Sequence, residues 1–183
     1  MFFKETFIKG VFLIEPDKIK DKRGFFARVW CKNEFKKRGL SFDLAQCSIS
    51  FNKKKGTLRG MHYQIYPFEE TKLVRVTRGS IFDVALDLRE DSPTFLRWFG
   101  VVLSSDNRKM LYIPENVAHG FITLEDNTEV FYQISQFYNP KYSRGVRWDD
   151  PAFKIKWPIE VKVISEKDKS YPDFRPRSFE EEK

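Results

Sequence analysis

Histidine is almost missing from this chain: 183 residues carry two, against 33 Lys+Arg. Cysteine is equally scarce. Cys31 and Cys47 stand apart with no C-x-x-C spacing, the pattern of reduced, structural thiols in a cytoplasmic protein. There is no run of ~18 apolar residues, which excludes a membrane-spanning helix. The opening stretch, Met1 to Gly10, carries Lys4, Glu5 and Lys9 and has no signal-peptide h-region. No internal repeat is visible, and no linker divides the chain. A zinc or non-haem iron site needs about three or four protein ligands. Two histidines with Glu69 would be a thin shell, so no metal and no other cofactor is expected. The histidines are left for acid–base or binding work.

What the chain does have is aromatic and basic. Aromatic residues make up 16%, with 19 Phe, which suits interlocked sheets. The length fits one domain over residues 1–183 with a proper core, and the polar stretch 178–183 reads as a frayed tail. The net charge of +7 attracts anions. The basic residues are spread along the chain rather than clustered as in a nucleic-acid module. The run Lys53-Lys54-Lys55 reads as a solvated loop tip. A small anion such as a nucleotide diphosphate is the better partner; neither nucleic acid nor membrane is expected.

Strand signals dominate. Val11 to Glu15 is a short apolar strand ended by Pro16, and Arg23-Gly24-Phe25-Phe26 enters another. Asn33 to Arg38 makes one or two helical turns, stopped by Gly39. Leu73 to Val76 precedes a turn at Thr77-Arg78-Gly79-Ser80. Phe82, Val84, Leu86 and Leu88 then alternate with Asp83, Ala85, Asp87 and Arg89, a period of two. Phe99–Leu103, Leu111–Ile113 and Phe121–Leu124 continue the series. Asp126-Asn127 turns tightly into Glu129–Ser135, where Val130, Tyr132 and Ile134 share one face. Short strands at roughly 8–12-residue spacing predict an all-β, antiparallel jelly-roll barrel with one or two short helices.

The histidines sit in Gly56-Thr57-Leu58-Arg59-Gly60-Met61-His62-Tyr63-Gln64 and Pro114-Glu115-Asn116-Val117-Ala118-His119-Gly120-Phe121. These resemble the two halves of the cupin motif, Gly-x5-His and Pro-x-Gly-x2-His, with Asn116 in the glycine position. A metal-binding cupin would have a second His at Gln64 and an Asn at Thr123. Further segments are Asp21 to Phe26, Lys72 to Val76, Asp87-Leu88-Arg89 with Ser92-Pro93-Thr94, Glu129 to Tyr132, Trp148 to Pro151, Trp157-Pro158 and Ser165 to Asp168. In this order and spacing the chain resembles the dTDP-4-dehydrorhamnose 3,5-epimerases, cupin-fold enzymes that invert the carbons flanking a 4-keto group in a nucleotide-linked 6-deoxyhexose.

That resemblance implies a cofactor-independent isomerase, a nucleotide-sugar substrate and a homodimer. It implies His62 as the base, Asp168 as its paired carboxylate, Tyr132 as the proton donor on the other face and Lys72 as the cation for the enolate. Arg23, Gln46, Ser48, Arg59, His119 and Lys167 match nucleotide- or sugar-binding positions, and Tyr138 an aromatic that stacks near the base. The chain departs from the family's best-known enzymes at Ile19, Arg28 and Ser143, where they carry an aromatic and two acidic residues. A single-centre epimerase on another nucleotide-linked sugar, for example a CDP-linked one, therefore stays open. So do a metal-dependent cupin, which Gln64 and Thr123 disfavour, and a sugar-binding cupin without catalysis, which would need neither His62 nor Tyr132.

Overall fold

In the computed structural model, which describes residues 1–40 and 42–175, strands dominate. In chain order they are β1 (Phe2–Glu5), β2 (Phe12–Glu15), β3 (Lys18–Asp21), β4 (Gly24–Ala27), β5 (Gln46–Asn52), β6 (Leu58–Gln64), β7 (Lys72–Arg78), β8 (Ser80–Asp87), β9 (Trp98–Ser104), β10 (Met110–Ile113), β11 (Val117–Thr123), β12 (Thr128–Ile134) and β13 (Ser143–Gly145). Two short helices, α1 (Lys32–Lys36) and α2 (Glu166–Lys169), complete the set among the described residues. Six strands form one sheet in the order β1-β2-β10-β7-β12-β5, and five form the other in the order β13-β6-β11-β8-β9. The strand pairings of both sheets are antiparallel. This is the jelly roll of the cupin type. The hairpin β3–β4 stands apart from both sheets. The expected frayed tail, 178–183, lies outside the described residues.

Local chemistry sets the boundaries. β2 stops at Glu15 because Pro16 has no N–H for the ladder. The helix expected at 33–38 starts one residue earlier and ends at Lys36. Gly39, at φ +70, closes it: the Gly39 N–H reaches Lys36 O and the Leu40 N–H reaches Phe35 O, a Schellman pair. Gly79 (φ +76) and Asn127 (φ +53) turn the chain between β7 and β8 and before β12. Asn116 sits at φ +60. Asparagine tolerates this left-handed conformation better than most residues, so it can stand where the cupin motif has glycine. Lys53, Lys54 and Lys55 are exposed in the loop before β6.

Three apolar clusters follow from two sheets with two covered outer faces. Between the sheets pack Val74, Val76, Ile81, Ala85, Leu103, Leu111, Phe121 and Val130, among others. Outside the six-stranded sheet, Phe35 of α1 with Leu40 and Phe42 covers Ile14, Leu73, Met110 and Tyr112. Outside the five-stranded sheet, Val146, Phe153, Trp157 and Phe174 cover Met61, Val84, Leu86 and Ala118. The alternation along β8 therefore has a meaning that periodicity alone does not supply. Val84 and Leu86 point outward under the C-terminal segment, while Asp83, with Ile81 and Ala85, takes the interior face. Asp83 and Asp87 are fully buried.

Candidate active site

One distortion in β6 builds the site. His119 pairs with His62, yet Phe121 pairs with Arg59, so two steps along β11 span three along β6. The extra residue lies at Gly60, whose φ is +139. A regular strand would send residues 59 and 62 to opposite faces. The bulge re-aims the chain, and both Arg59 and His62 line the same cavity while Met61 packs outward. Only glycine fits there, because a Cβ on Gly60 would lie 2.5 Å from Gly120 Cα.

The cavity, about 370 Å³, opens between the sheets, within the usual size for a small-molecule site. β6 gives it Arg59 and His62, β7 gives Lys72, β11 gives His119, β12 gives Tyr132 and β5 gives Ser48. Lys167 and Tyr138 line it too; Tyr138 is 59% exposed. Gln46 is not among the lining residues, but its Oε1 accepts the Tyr138 N–H at 2.7 Å. Arg23 is not brought to the cavity within one chain. It sits between β3 and β4, highly exposed and paired with Asp21 at 2.6 Å. Of the three departures noted above, Ser143 lines the cavity. Ile19 is exposed, and Arg28 lies 3.6 Å from Glu34.

His62 Nε2 meets Asp168 Oδ1 at 2.7 Å. Asp168 comes from α2, whose first turn is capped by Ser165: its Oγ accepts the Asp168 N–H at 3.1 Å. Burial opposes the Asp168 charge, but the hydrogen bond and charge of His62 outweigh it. With the Gly60 N–H helping, they hold the carboxyl below its usual range. Lys72 Nζ lies 2.8 Å from Glu70 Oε1 and donates to His62 O at 3.3 Å. Arg59 Nε donates to Asn52 Oδ1 at 2.8 Å.

On the other side, His119 Nε2 meets Asp83 Oδ1 at 2.7 Å, both buried. The His119 ring faces Tyr132 edge-on, centroids 6.0 Å apart. Burial first, and then the charge of Asp83, push the Tyr132 phenol above its usual range, with Arg59 pulling the other way. Asp83, Glu70 and Tyr63 are site residues that the sequence reading missed. Asp83 was hidden by its alternating strand, where an acidic residue between apolar ones reads as solvent-facing.

The two positions where a metal-binding cupin would have ligands are spent on structure. Gln64 donates to Phe68 O, Glu70 Oε2 and Phe137 O and accepts the Asn139 N–H. Thr123 accepts the Thr57 N–H and donates to Lys54 O. Among the described residues no group of three or more His, Cys, Asp or Glu could hold a metal ion.

A jelly roll whose cavity carries an imidazole–carboxylate pair on one wall and a half-buried phenol on another belongs to the cupins equipped for proton transfer on a small bound molecule. Residues 5–176 match the family model described as dTDP-4-dehydrorhamnose 3,5-epimerase, and the chain belongs to that family. The enzyme of that name from Sinorhizobium fredii is 42% identical over 175 residues, covering 95% of this chain and 90% of that one. The crystal structure of the Bacillus anthracis enzyme, with TDP and PPi bound, superposes with a TM-score of 0.90 at 38% identity, over 94% of this chain and 98% of that one. The Legionella pneumophila enzyme, in complex with dTDP-4-keto-L-rhamnose, gives 0.85 at 36% identity, over 91% and 88%. Among the described residues no helix is long and apolar enough to cross a membrane.

Proposed function

We propose that this protein epimerises C3 and C5 of dTDP-4-dehydro-6-deoxyglucose to give dTDP-4-dehydrorhamnose. The observation that carries the reading is the His62–Asp168 contact of 2.7 Å in a cavity that also holds Lys72 and Tyr132. His62 takes the proton from a carbon next to the 4-keto group, and the electron pair moves onto the ketone oxygen as an enolate. The Asp168 carboxylate, already ionised, stabilises the imidazolium that forms. Lys72 stabilises the enolate oxygen. Tyr132 returns a proton to the same carbon from the opposite face, and repetition at the second carbon completes the change. Atoms and oxidation state balance without a redox or metal cofactor.

The raised affinity of Tyr132 for its proton suits this role: the phenol enters each cycle protonated, and the phenolate is quickly refilled. Arg59 and Lys167 suit the diphosphate, His119 and Ser48 the sugar or nucleotide, and Tyr138 at the rim a nucleobase. The test is incubation with this nucleotide sugar in heavy water, followed by NMR. Deuterium at both C3 and C5 with net inversion is expected; exchange at one carbon alone would mark a single-centre epimerase.

The working form we propose is a homodimer. Arg23, a predicted binding residue, stands outside the cavity in one chain, on a hairpin whose Ile19 and Phe26 are 70% and 67% exposed. Pairing with a second copy would bury that surface. Sedimentation at micromolar concentration should give twice the chain mass; a monomer would overturn it.

A further inference from the structure

Tyr171 belongs to no strand or helix; it follows α2 by two residues. Its ring meets the His62 imidazole edge-on, with centroids 6.3 Å apart and planes at 68°. The far end of the ring rests on Gly145, where a Cβ would come within 2.2 Å of Cζ and 2.6 Å of the hydroxyl. Gly145 is the residue directly opposite His62 in the β13–β6 register. The tyrosine ring is therefore seated against both the imidazole and the backbone of the neighbouring strand. A side chain of any size on Gly145 would evict it.

The hydroxyl is buried and has no hydrogen-bond partner among the described residues. Such a group is costly, so the ring accounts for this residue's placement. Burial first, then the charge of Asp168 and the phenols of Tyr138 and Tyr63, push Tyr171 up to about 12. It stays protonated at neutral pH and is not a second base. His62, with 37% of its side chain exposed, has room to turn unless something holds it.

We propose that Tyr171 is a positioning residue for His62. Its ring, seated on Gly145, confines the imidazole to the orientation in which Nε2 meets Asp168 and Nδ1 is left for the substrate, and it covers one side of the pair from water. The proposal rests on the reading of His62 as the base. A misaligned base loses rate without losing substrate affinity, because near-attack geometry and not binding is disturbed.

The test compares Tyr171→Leu, which removes the ring, Tyr171→Phe, which keeps it, and Gly145→Ala, which displaces it. Two readouts are needed: kcat and KM for epimerisation, and the His62 ring-proton resonance in histidine-labelled protein, assigned by its loss in His62→Ala. With two histidines in the chain the spectrum is simple. Tyr171→Leu should lower kcat roughly 10–100-fold, leave KM within about threefold, and move the His62 resonance as the tyrosine ring current is lost. Tyr171→Phe should restore both rate and resonance. Gly145→Ala should reproduce the Leu defect, and the double variant Gly145→Ala/Tyr171→Leu should be no worse than either single change, since both remove one contact.

Wild-type rate and resonance in Tyr171→Leu overturn the proposal, and so does a Tyr171→Phe as impaired as Leu. If Tyr171→Leu does not fold, Gly145→Ala with unchanged rate and resonance overturns it equally. The resonance is read without substrate. A wild-type protein that exchanges no deuterium therefore refutes the functional reading and leaves this placement separately testable.

Discussion

At His62 and Tyr132 the two walls of the cavity make separable predictions. His62→Ala should lose isotope exchange and epimerisation together, because no enolate forms. Tyr132→Phe should keep some exchange on the His62 side while net inversion falls. Each general acid or base contributes typically 10²–10⁴-fold, well outside assay error. Asp168→Asn keeps the shape of the 2.7 Å contact but removes the charge that stabilises the imidazolium. It should reduce kcat without abolishing exchange, and a variant at the wild-type rate would leave Asp168 a purely structural residue. His62→Ala exchanging at the wild-type rate would return His62 to the same status. His62, Tyr132 and Lys72 were legible as candidates because their flanking motifs are distinctive. Asp83 and Tyr171 were not, because each acts through a partner distant in sequence: His119 is 36 residues from Asp83, and Tyr171 meets His62 across the fold.

Among the elements, β6 decides most. Its bulge at Gly60 sends Arg59 and His62 into one cavity, and its close approach to β11 leaves no room for a Cβ at Gly60. Gly60→Ala should destabilise the protein by about 1–3 kcal/mol from overpacking, with further strain from φ +139. It should also lower kcat by tilting His62. Urea unfolding midpoints and turnover measured together check this, and a variant unchanged in both would show that the bulge does not aim the base. In the sequence Gly60 stands inside a motif and not inside a strand read from periodicity; it is the structure that places it in β6, where a glycine marks a bulge or close approach. The sequence does not show which neighbour approaches. α2 is a single turn, and its serine cap helps deliver Asp168 to His62.

Across the whole molecule, the perturbed groups set the pH range of stability. Tyr112 and Tyr132 are held above their usual range chiefly by burial, and Tyr171 is pushed up to about 12. A raised pKa means the folded state keeps a proton that the unfolded state releases near pH ~10. Their contribution is full below that point and is lost as pH rises through the folded values. On the acid side, Asp87 is opposed by burial but held down by Arg89, Ser92 and Thr94, and Asp168 is held down by His62. Their contribution is present above pH ~4 and is lost as pH falls through the lowered values. Urea midpoints should therefore fall above about pH 10 and below about pH 4. A midpoint that rises between pH 10 and 12 would contradict the buried phenols. The sequence by itself determined the strand-rich class, the turns at Gly39, Gly79 and Asn127 and the family, because turn chemistry and contiguous motifs are local. Only the tertiary structure decided which face of β8 is interior, that Arg59 and His62 share a cavity, and which carboxylate meets which histidine. Those depend on sheet order and on one extra residue in one strand, and both are settled by packing between segments distant along the chain.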